Sequence, residues 1–376
     1  MRGRLSALAL LLCFAPALAA PVGLAGHWKS YALYTLLPND SLCEAGSWQG
    51  ILRLESGIRI SRTLRLEGAY VLLPTVRDGR LWGDSGRTGL RVSDPDLYLH
   101  PEHVDSATSF AVLSNIDRLN ATLRLSFADV IAGRQAVSWG TAHFVSPSDF
   151  LAPYPFNQLE SENRQGVDAL RARVPLGLFS ELDLGVVSGY HAAPDSSAIY
   201  ARLHNYVARS DIDLIVGVHR RDIVLGCNAS RAAGGASVWF DGTCTFLGGM
   251  SRRAGETMLR ASLGADYRLA ADLYGQIEYH YSSHRARELG QGPNVYLNGS
   301  QYLIHGLSWQ ASPLLTVTPS GFVNLEEPSA YGMLSVDYSI AQNVFLGVGS
   351  QLSFGSDSED LGSYADVYYV TTSYYF

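Results

Sequence analysis

The sequence predicts an all-β protein, a transmembrane antiparallel β-barrel of about 18 strands (roughly 16–20) with short turns at one end and long loops at the other. Three observations lead there. The chain closes on residues 364–376, where Phe376, Tyr374, Thr372, Val370 and Tyr368 share one strand face and Tyr375, Ser373, Thr371 and Tyr369 share the other. Lipid accepts the aromatic face and water the hydroxyl face, whereas a soluble sheet ending on such an edge invites aggregation. Beyond residue 20, no apolar run approaches the ~18 residues of a spanning helix, so any crossing is made by strands. Finally, alternating segments recur along the chain, separated in turn by tight connections and polar loops.

The amino terminus is read separately. Arg2 and Arg4 precede an apolar run, Leu5 to Leu18, which ends in Ala19-Ala20, the pattern of a cleaved secretory signal peptide over residues 1–20. Leu12 precedes Cys13, where lipid attachment needs a small residue, so no lipid anchor is expected. Residues 21–376 contain no linker or composition break and are read as one domain. Charged residues make up 17%, against about 25% in ordinary domains, as suits a chain with one face in lipid. The net charge is −7 and Lys29 is the only lysine, which excludes nucleic-acid binding. No Cys/His spacing suggests a metal, and no cofactor is expected.

Taken in order, Gly26 to Leu37 begins the series, and residues 48–55 and 64–72 alternate about a turn near Arg59 to Thr63. After a polar loop, 77–109, the segment 118–126 turns at Ala128-Asp129 and rises again as Val130 to Trp139. A second long loop, 140–165, precedes Val167 to Pro175. Shorter segments then follow to the closing strand, including a tight connection at Arg221-Asp222 assigned to the loop end.

A barrel of this size encloses water rather than a packed core. The polar strand faces are therefore candidate lumen, with Arg118, Arg124, Arg134, Arg171 and Arg173 among more arginines than carboxylates. One reading is a pore field favouring anions. The other is that these charges neutralise one another, with Arg53-Glu55 and Arg65-Glu67 pairing across neighbouring strands. The loop 140–165 carries Phe144, Phe150, Tyr154, Pro155 and Phe156, too apolar for free solvation. It is expected to fold back as a constriction bearing Asp149 and Phe150, the alternative being a cap on the barrel rim. Within it, Ser146 or Ser148 can cap a short helix, with Pro147 as a first-turn residue. Cys227 and Cys244 flank a turn centred on Gly235-Ala236, a register that would set them opposite each other on the apolar parity, bonded or as free thiols.

The segments Gly133-Arg134-Gln135-Ala136-Val137-Ser138-Trp139-Gly140, Ser146-Pro147-Ser148-Asp149 and Gly166-Val167-Asp168-Ala169-Leu170 resemble the "GRQ..SWG", "NPTD" and "GVDAL" motifs of a largely uncharacterised proteobacterial family. Its members are outer-membrane porin-like barrels, similar in style to alginate-export channels. Ser146 departs from the family's usual Asn. The carboxy-terminal strand also resembles the closing strand of bacterial outer-membrane barrels, which implies that Phe376 and Tyr374 help the assembly machinery recognise the chain.

The resemblance implies a channel for small hydrophilic solutes in the outer membrane of a Gram-negative bacterium. Its partners would be membrane lipid, lipopolysaccharide and the barrel assembly machinery, with self-association open. Two other classes compete with it. A structural or adhesive barrel would use the acidic loops to bind divalent ions. An enzyme would need a nucleophile beside an oriented histidine; His204, His219 and Asp213 come nearest, yet no nucleophile motif surrounds them, and an enzyme is not expected.

Overall fold

The computed structural model describes residues 23–36, 44–77, 105–107, 110–153, 155–189, 192–249, 257–284 and 297–376. The predicted signal segment, Cys43, most of loop 77–109 and most of loop 284–300 lie outside the described residues. The strands are β1 (Gly23–Leu36), β2 (Glu44–Arg59), β3 (Leu64–Arg77), β4 (Asp105–Ala107), β5 (Phe110–Arg124), β6 (Asp129–Gln135) and β7 (Val167–Pro175). They continue as β8 (Ser180–Ser188), β9 (Ala198–Val207), β10 (Ser210–His219), β11 (Asp222–Ala233), β12 (Ala236–Phe246) and β13 (Thr257–Arg268). The last are β14 (Leu273–Ser282), β15 (Gln301–Ser312), β16 (Leu315–Asn324), β17 (Ala330–Ala341), β18 (Val344–Phe354) and β19 (Asp366–Tyr375).

Each wall strand pairs antiparallel with the next, β3 pairing with β5, and β1 also pairs with β19. Of the 19 strands, the three-residue β4 only flanks Phe110–Val112 of β5, which leaves 18 in the closed wall. The seam is pinned by reciprocal 2.9 Å hydrogen bonds between the backbones of Gly26 and Phe376. Closure removes the edge that would make so apolar a sheet aggregate.

Alternation sorts the two faces. Leu119, Leu170, Leu214, Leu263, Val370 and Tyr374 are exposed on the outer face, whereas His27, Lys29, Tyr31, Leu33 and Thr35 of β1 are buried on the inner one. Phe376 is also exposed and shares the row of Tyr374. Turns at one end are tight: Ala208-Arg209 and Gly234-Gly235 each join adjacent strands, and Ala208, Arg209 and Gly234 have φ of 52°, 63° and 65°. Positive φ in a two-residue hairpin loop matches the right-handed twist of the strands. At the loop end, Arg220-Arg221 forms the same kind of turn, with φ of 51° and 75°.

Residues 136–166, here called the insert, leave the wall between β6 and β7 and pack against its inner face. Three buried clusters contain it. Val137, Trp139, Phe150 and Leu151 join Val167, Val187, Tyr200 and Ile215; Phe144, Val145 and Phe156 pack on Tyr302, Ile304, Phe322 and Tyr331; Leu159 packs on Tyr31, Leu33, Ile51, Leu73 and Val367. The inward apolar residues of this water-sized barrel are thus covered by its own chain.

Three expectations are corrected. The strand expected over Val130 to Trp139 stops at Gln135, where the side-chain amide donates to the carbonyls of Ile131, Gly133 and Ala169 and so ends the ladder. Cys227 stands opposite Gly242 and Cys244 opposite Leu225, because the turn is centred on Gly234-Gly235. The thiols are therefore offset diagonally on the outer face, and both are free. Arg53–Glu55 and Arg65–Glu67 pair within their own strands instead of across the ladder, the latter at 2.8 Å.

Candidate functional site

A segment leaving a sheet for the lumen carries backbone N–H groups that need new acceptors. Two buried wall carboxylates supply them. Asp241 on β12 accepts from the Thr141 N–H at 3.2 Å, the Ser146 hydroxyl at 2.6 Å, and the Ser148 N–H and hydroxyl at 3.0 and 3.2 Å. Glu278 on β14 accepts from the N–H groups of His143, Phe144 and Val145 at 3.0, 3.3 and 2.9 Å, and from Trp239 Nε1 at 3.2 Å. The His143 ring stacks on Trp239 with centroids 4.0 Å apart. Ionised acceptors make the stronger class of hydrogen bond, so these contacts hold the insert firmly on β12–β14.

The insert then crosses the lumen. Gln351 on β18 donates to the carbonyl of Asn157 at 3.1 Å. Lys29 on β1, the only lysine of the chain, binds Glu160 at 2.7 Å and also Glu162. The hydroxyls of Tyr31 and Tyr375 donate to the same two carboxylates at 2.9 and 2.8 Å. Partial burial raises the Glu162 carboxyl, but the hydrogen bonds from Lys29 and Tyr375 outweigh it and leave the group below the usual range.

On the return leg, the Gly166 N–H donates to Asp117 Oδ1 at 3.0 Å, while Asp117 Oδ2 binds Arg53 at 2.5 Å and Arg118 at 2.7 Å. A register shift between β3 and β5 leaves Asp117 as an extra residue, which lets it and Arg118 both reach the lumen side.

The residues singled out from the sequence fare unequally. Arg118 is in the lumen but bonded to Asp117 and to the carbonyl of Arg164. Arg124 is exposed at the turn end, opposite Asp129 and away from the insert. Arg171 grips the buried Asp183 with two bonds of 2.8 and 2.6 Å, and Arg173 grips Glu181 likewise at 3.1 and 2.8 Å. In the ladder Arg134 stands opposite Leu119 and Asp168, but unlike the exposed Leu119 and Leu170 it is buried, while Gln135 stands opposite Val167.

Asp149 and Phe150 both belong to the insert. Phe150 is buried between Trp139 and His219, with centroids 5.5 and 5.6 Å away. Asp149 is buried against Arg164 and the Ser138 hydroxyl; burial pushes its carboxyl up to about 7, and those partners offset only part of that. His204 binds Asp213 at 2.8 Å, as Arg202 does, and no serine or cysteine hydrogen-bonds His204 among the described residues.

Four side chains have roles that the sequence reading did not assign: Asp241 and Glu278 as anchors, Arg260 beside the insert, and Lys29 as the tie to its far leg. Glu278 and Arg260 were legible only as polar residues on inward strand faces and Lys29 only as the single lysine in a chain of arginines, while Asp241 left no signal. A cavity of about 200 Å³ lies between insert and wall, with Arg164, Arg260, His143 and His280 at its polar side and Phe144, Phe156, Phe322 and Leu297 at its apolar side. Among the described residues no group of histidine, cysteine, aspartate and glutamate could hold a metal ion.

No family model matches the chain, and no curated relative matches it. Solved structures do. Pseudomonas aeruginosa OpdK, solved with vanillate, superposes with a TM-score of 0.58 at 13% identity, over 94% of this chain and 98% of that one. The fold is that of an outer-membrane porin. P. aeruginosa OccD3 (OpdP) agrees, with a TM-score of 0.57 at 11% identity over 95% and 93% of the two chains. Acinetobacter baumannii OccAB1 gives 0.58 at 10% identity over 94% and 96%. At such identities the likeness shows the fold alone, and the neighbours are porins rather than enzymes.

Proposed function

We propose that this porin-like barrel is a passive channel for small hydrophilic solutes with a modest preference for anions. The observation that carries the reading is a closed 18-strand wall with a charged inner face, narrowed by an insert tied to it from β12 round to β1. A wall that merely anchored a rigid adhesin would gain nothing from a wet, charged interior.

The preference is modest because Arg171 and Arg173 are matched by Asp183 and Glu181. Among the described residues that line the cavity, the cationic surplus lies at Arg260, because Arg164 beside it is matched by Asp149. The vanillate in OpdK is a small carboxylate of the class that such a surplus would admit. The test is reversal potential across a salt gradient in planar bilayers: anion selectivity is expected, and a non-conducting or cation-selective wild type would refute the reading.

For assembly, we assign Phe376 and Tyr374 to recognition by the insertion machinery. Deleting Phe376 removes both the outer aromatic row's last ring and the Gly26 seam bonds, so it should impair insertion far more than Tyr375→Phe.

A further inference from the structure

We propose that the inner face of β15–β19, toward the turn end, is a binding track for neutral pyranose sugars, whose hydroxyls it hydrogen-bonds and whose C–H faces it stacks. The inference goes beyond the preference for anions and rests on the channel reading only in placing this face in an open lumen. The inward residues of these five strands include one charged side chain, Asp337. The rest toward the turn end is mainly hydroxyls and rings, unlike the paired charges of β7–β10. Thr316, Asp337, Gly347 and Thr371 stand in one row across β16–β19, and Thr318, Ser335, Gly349 and Tyr369 in a row nearer the loop end.

The glycines of these rows make the recess. A Cβ on Gly347 would stand 2.5 Å from Thr371 Oγ1 and 2.8 Å from Asp337 Oδ1, so the two oxygens converge over its backbone. The Ser335 hydroxyl donates to Asp337 Oδ2 at 3.1 Å. Asp337 Oδ1 and the Thr371 hydroxyl take no hydrogen-bond partner among the described residues. A carboxylate oxygen accepts from one sugar hydroxyl, and a threonine beside it can donate to or accept from the next, which fits two adjacent hydroxyls of one ring.

The aromatic side supplies the apolar half of the match. The Tyr369 ring lies over Gly349, in the space a Cβ would take. Phe345 stands opposite Ser373 on the same inner face and is 38% exposed. Its ring is 5.8 Å from that of Tyr375, edge to face. A phenyl ring left facing water is stabilised by any apolar surface that covers it. A pyranose presents such a surface on its ring face and hydroxyls at its rim. An anionic solute would be repelled by Asp337, and an apolar one would strip water from Asp337 and Thr371 without replacing its hydrogen bonds.

The experiment is single-channel recording of the purified full-length barrel in planar bilayers with added maltotriose, and with polyethylene glycol of matched hydrodynamic size as the control. Wild type should lose conductance saturably with maltotriose and show no saturable loss with polyethylene glycol. Asp337→Ala and Phe345→Ala should each raise the half-blocking concentration about tenfold, while Arg173→Met, on the other arc, should leave it unchanged. Equal block by the two solutes, or equal block of wild type and either alanine variant, overturns the track. If Asp337→Ala does not assemble, Thr371→Val removes one hydroxyl at nearly constant shape, and an unchanged half-blocking concentration in that variant overturns the track. A protein that conducts and is not saturably blocked refutes the track and leaves the channel. One that passes no current refutes the channel, and calorimetric titration with maltotriose in detergent then decides the track, which saturable binding supports and its absence overturns.

Discussion

On β7–β10 the inward charges pair with one another, whereas on β12–β14 they reach across to the insert. The first arc is a closed network: Arg171–Asp183 at 2.6 Å, Arg173–Glu181 at 2.8 Å, and Arg202 and His204 both on Asp213 at 2.8 Å. On the second arc, Asp241 and Glu278 are as deeply buried as Asp183, yet every contact described above for them except that of Glu278 with Trp239 is made to residues 141–148. Two carboxylates in one barrel can therefore do different work. The first arc would stand without the insert; the second would be left with buried, uncompensated charge, so insert and arc form as one unit.

The sharpest way to break that contrast is to neutralise both anchors. Asp241→Asn combined with Glu278→Gln removes the ionised acceptors while keeping their shape, and should release the insert. Single-channel conductance is expected to rise roughly twofold or more as the constriction widens, in a barrel that still migrates in its folded, heat-modifiable form. Unchanged conductance would mean that the clusters around Phe150 and Phe156 hold the insert without the carboxylates.

Breaking the first arc should instead cost stability and leave conductance nearly alone. Arg171→Ala strands the buried Asp183, a loss of about 3–5 kcal/mol, read by urea unfolding in vesicles. Removing Asp183 as well should restore part of that, because no charge is then left behind. If the double variant is no more stable than the single one, the pair does not act as a closed unit.

Asp149 gives the pH dependence of the insert. Its carboxyl titrates near 7 when folded, against about 3.9 when unfolded, so the folded state holds the proton more tightly. Stability of the packing around it is therefore greatest at acid pH and is lost as pH rises from about 4 to about 7. Limited proteolysis of the insert should be faster at pH 8 than at pH 5, and Asp149→Asn should flatten the difference. A smaller effect still is expected from Arg173→Ala. Arg173 is 42% exposed in its pair with Glu181, and such pairs contribute about 1 kcal/mol or less, so an unfolding midpoint within error of wild type is the expected result.

Much of this was legible in the chain itself. The fold class, the strand number and the two faces of the closing strand follow from alternation, which is a property of neighbouring residues and survives any tertiary arrangement. The apolar loop at 140–165 announced itself because Phe144, Phe150 and Phe156 cannot be left in water. Where reading stopped, one residue of register was enough. The β11–β12 turn at Gly234-Gly235 shifts Cys227 from Cys244 to Gly242, and Gly133, with a φ of 111°, breaks the alternation from which a facing for the buried Arg134 would be read.

Sequence alone thus decided that this chain closes into a wall with one face for lipid and one for water, because period-2 patterning needs no partner to be read. Only the tertiary structure decided what each inward charge does. Asp183 meets Arg171 twelve residues away across one hairpin, a pairing that local rules can reach. Glu278 meets the Val145 N–H from 133 positions away, and Lys29 meets Glu160 across 131. The insert's path across the lumen sets those distances, and no spacing along the chain encodes them.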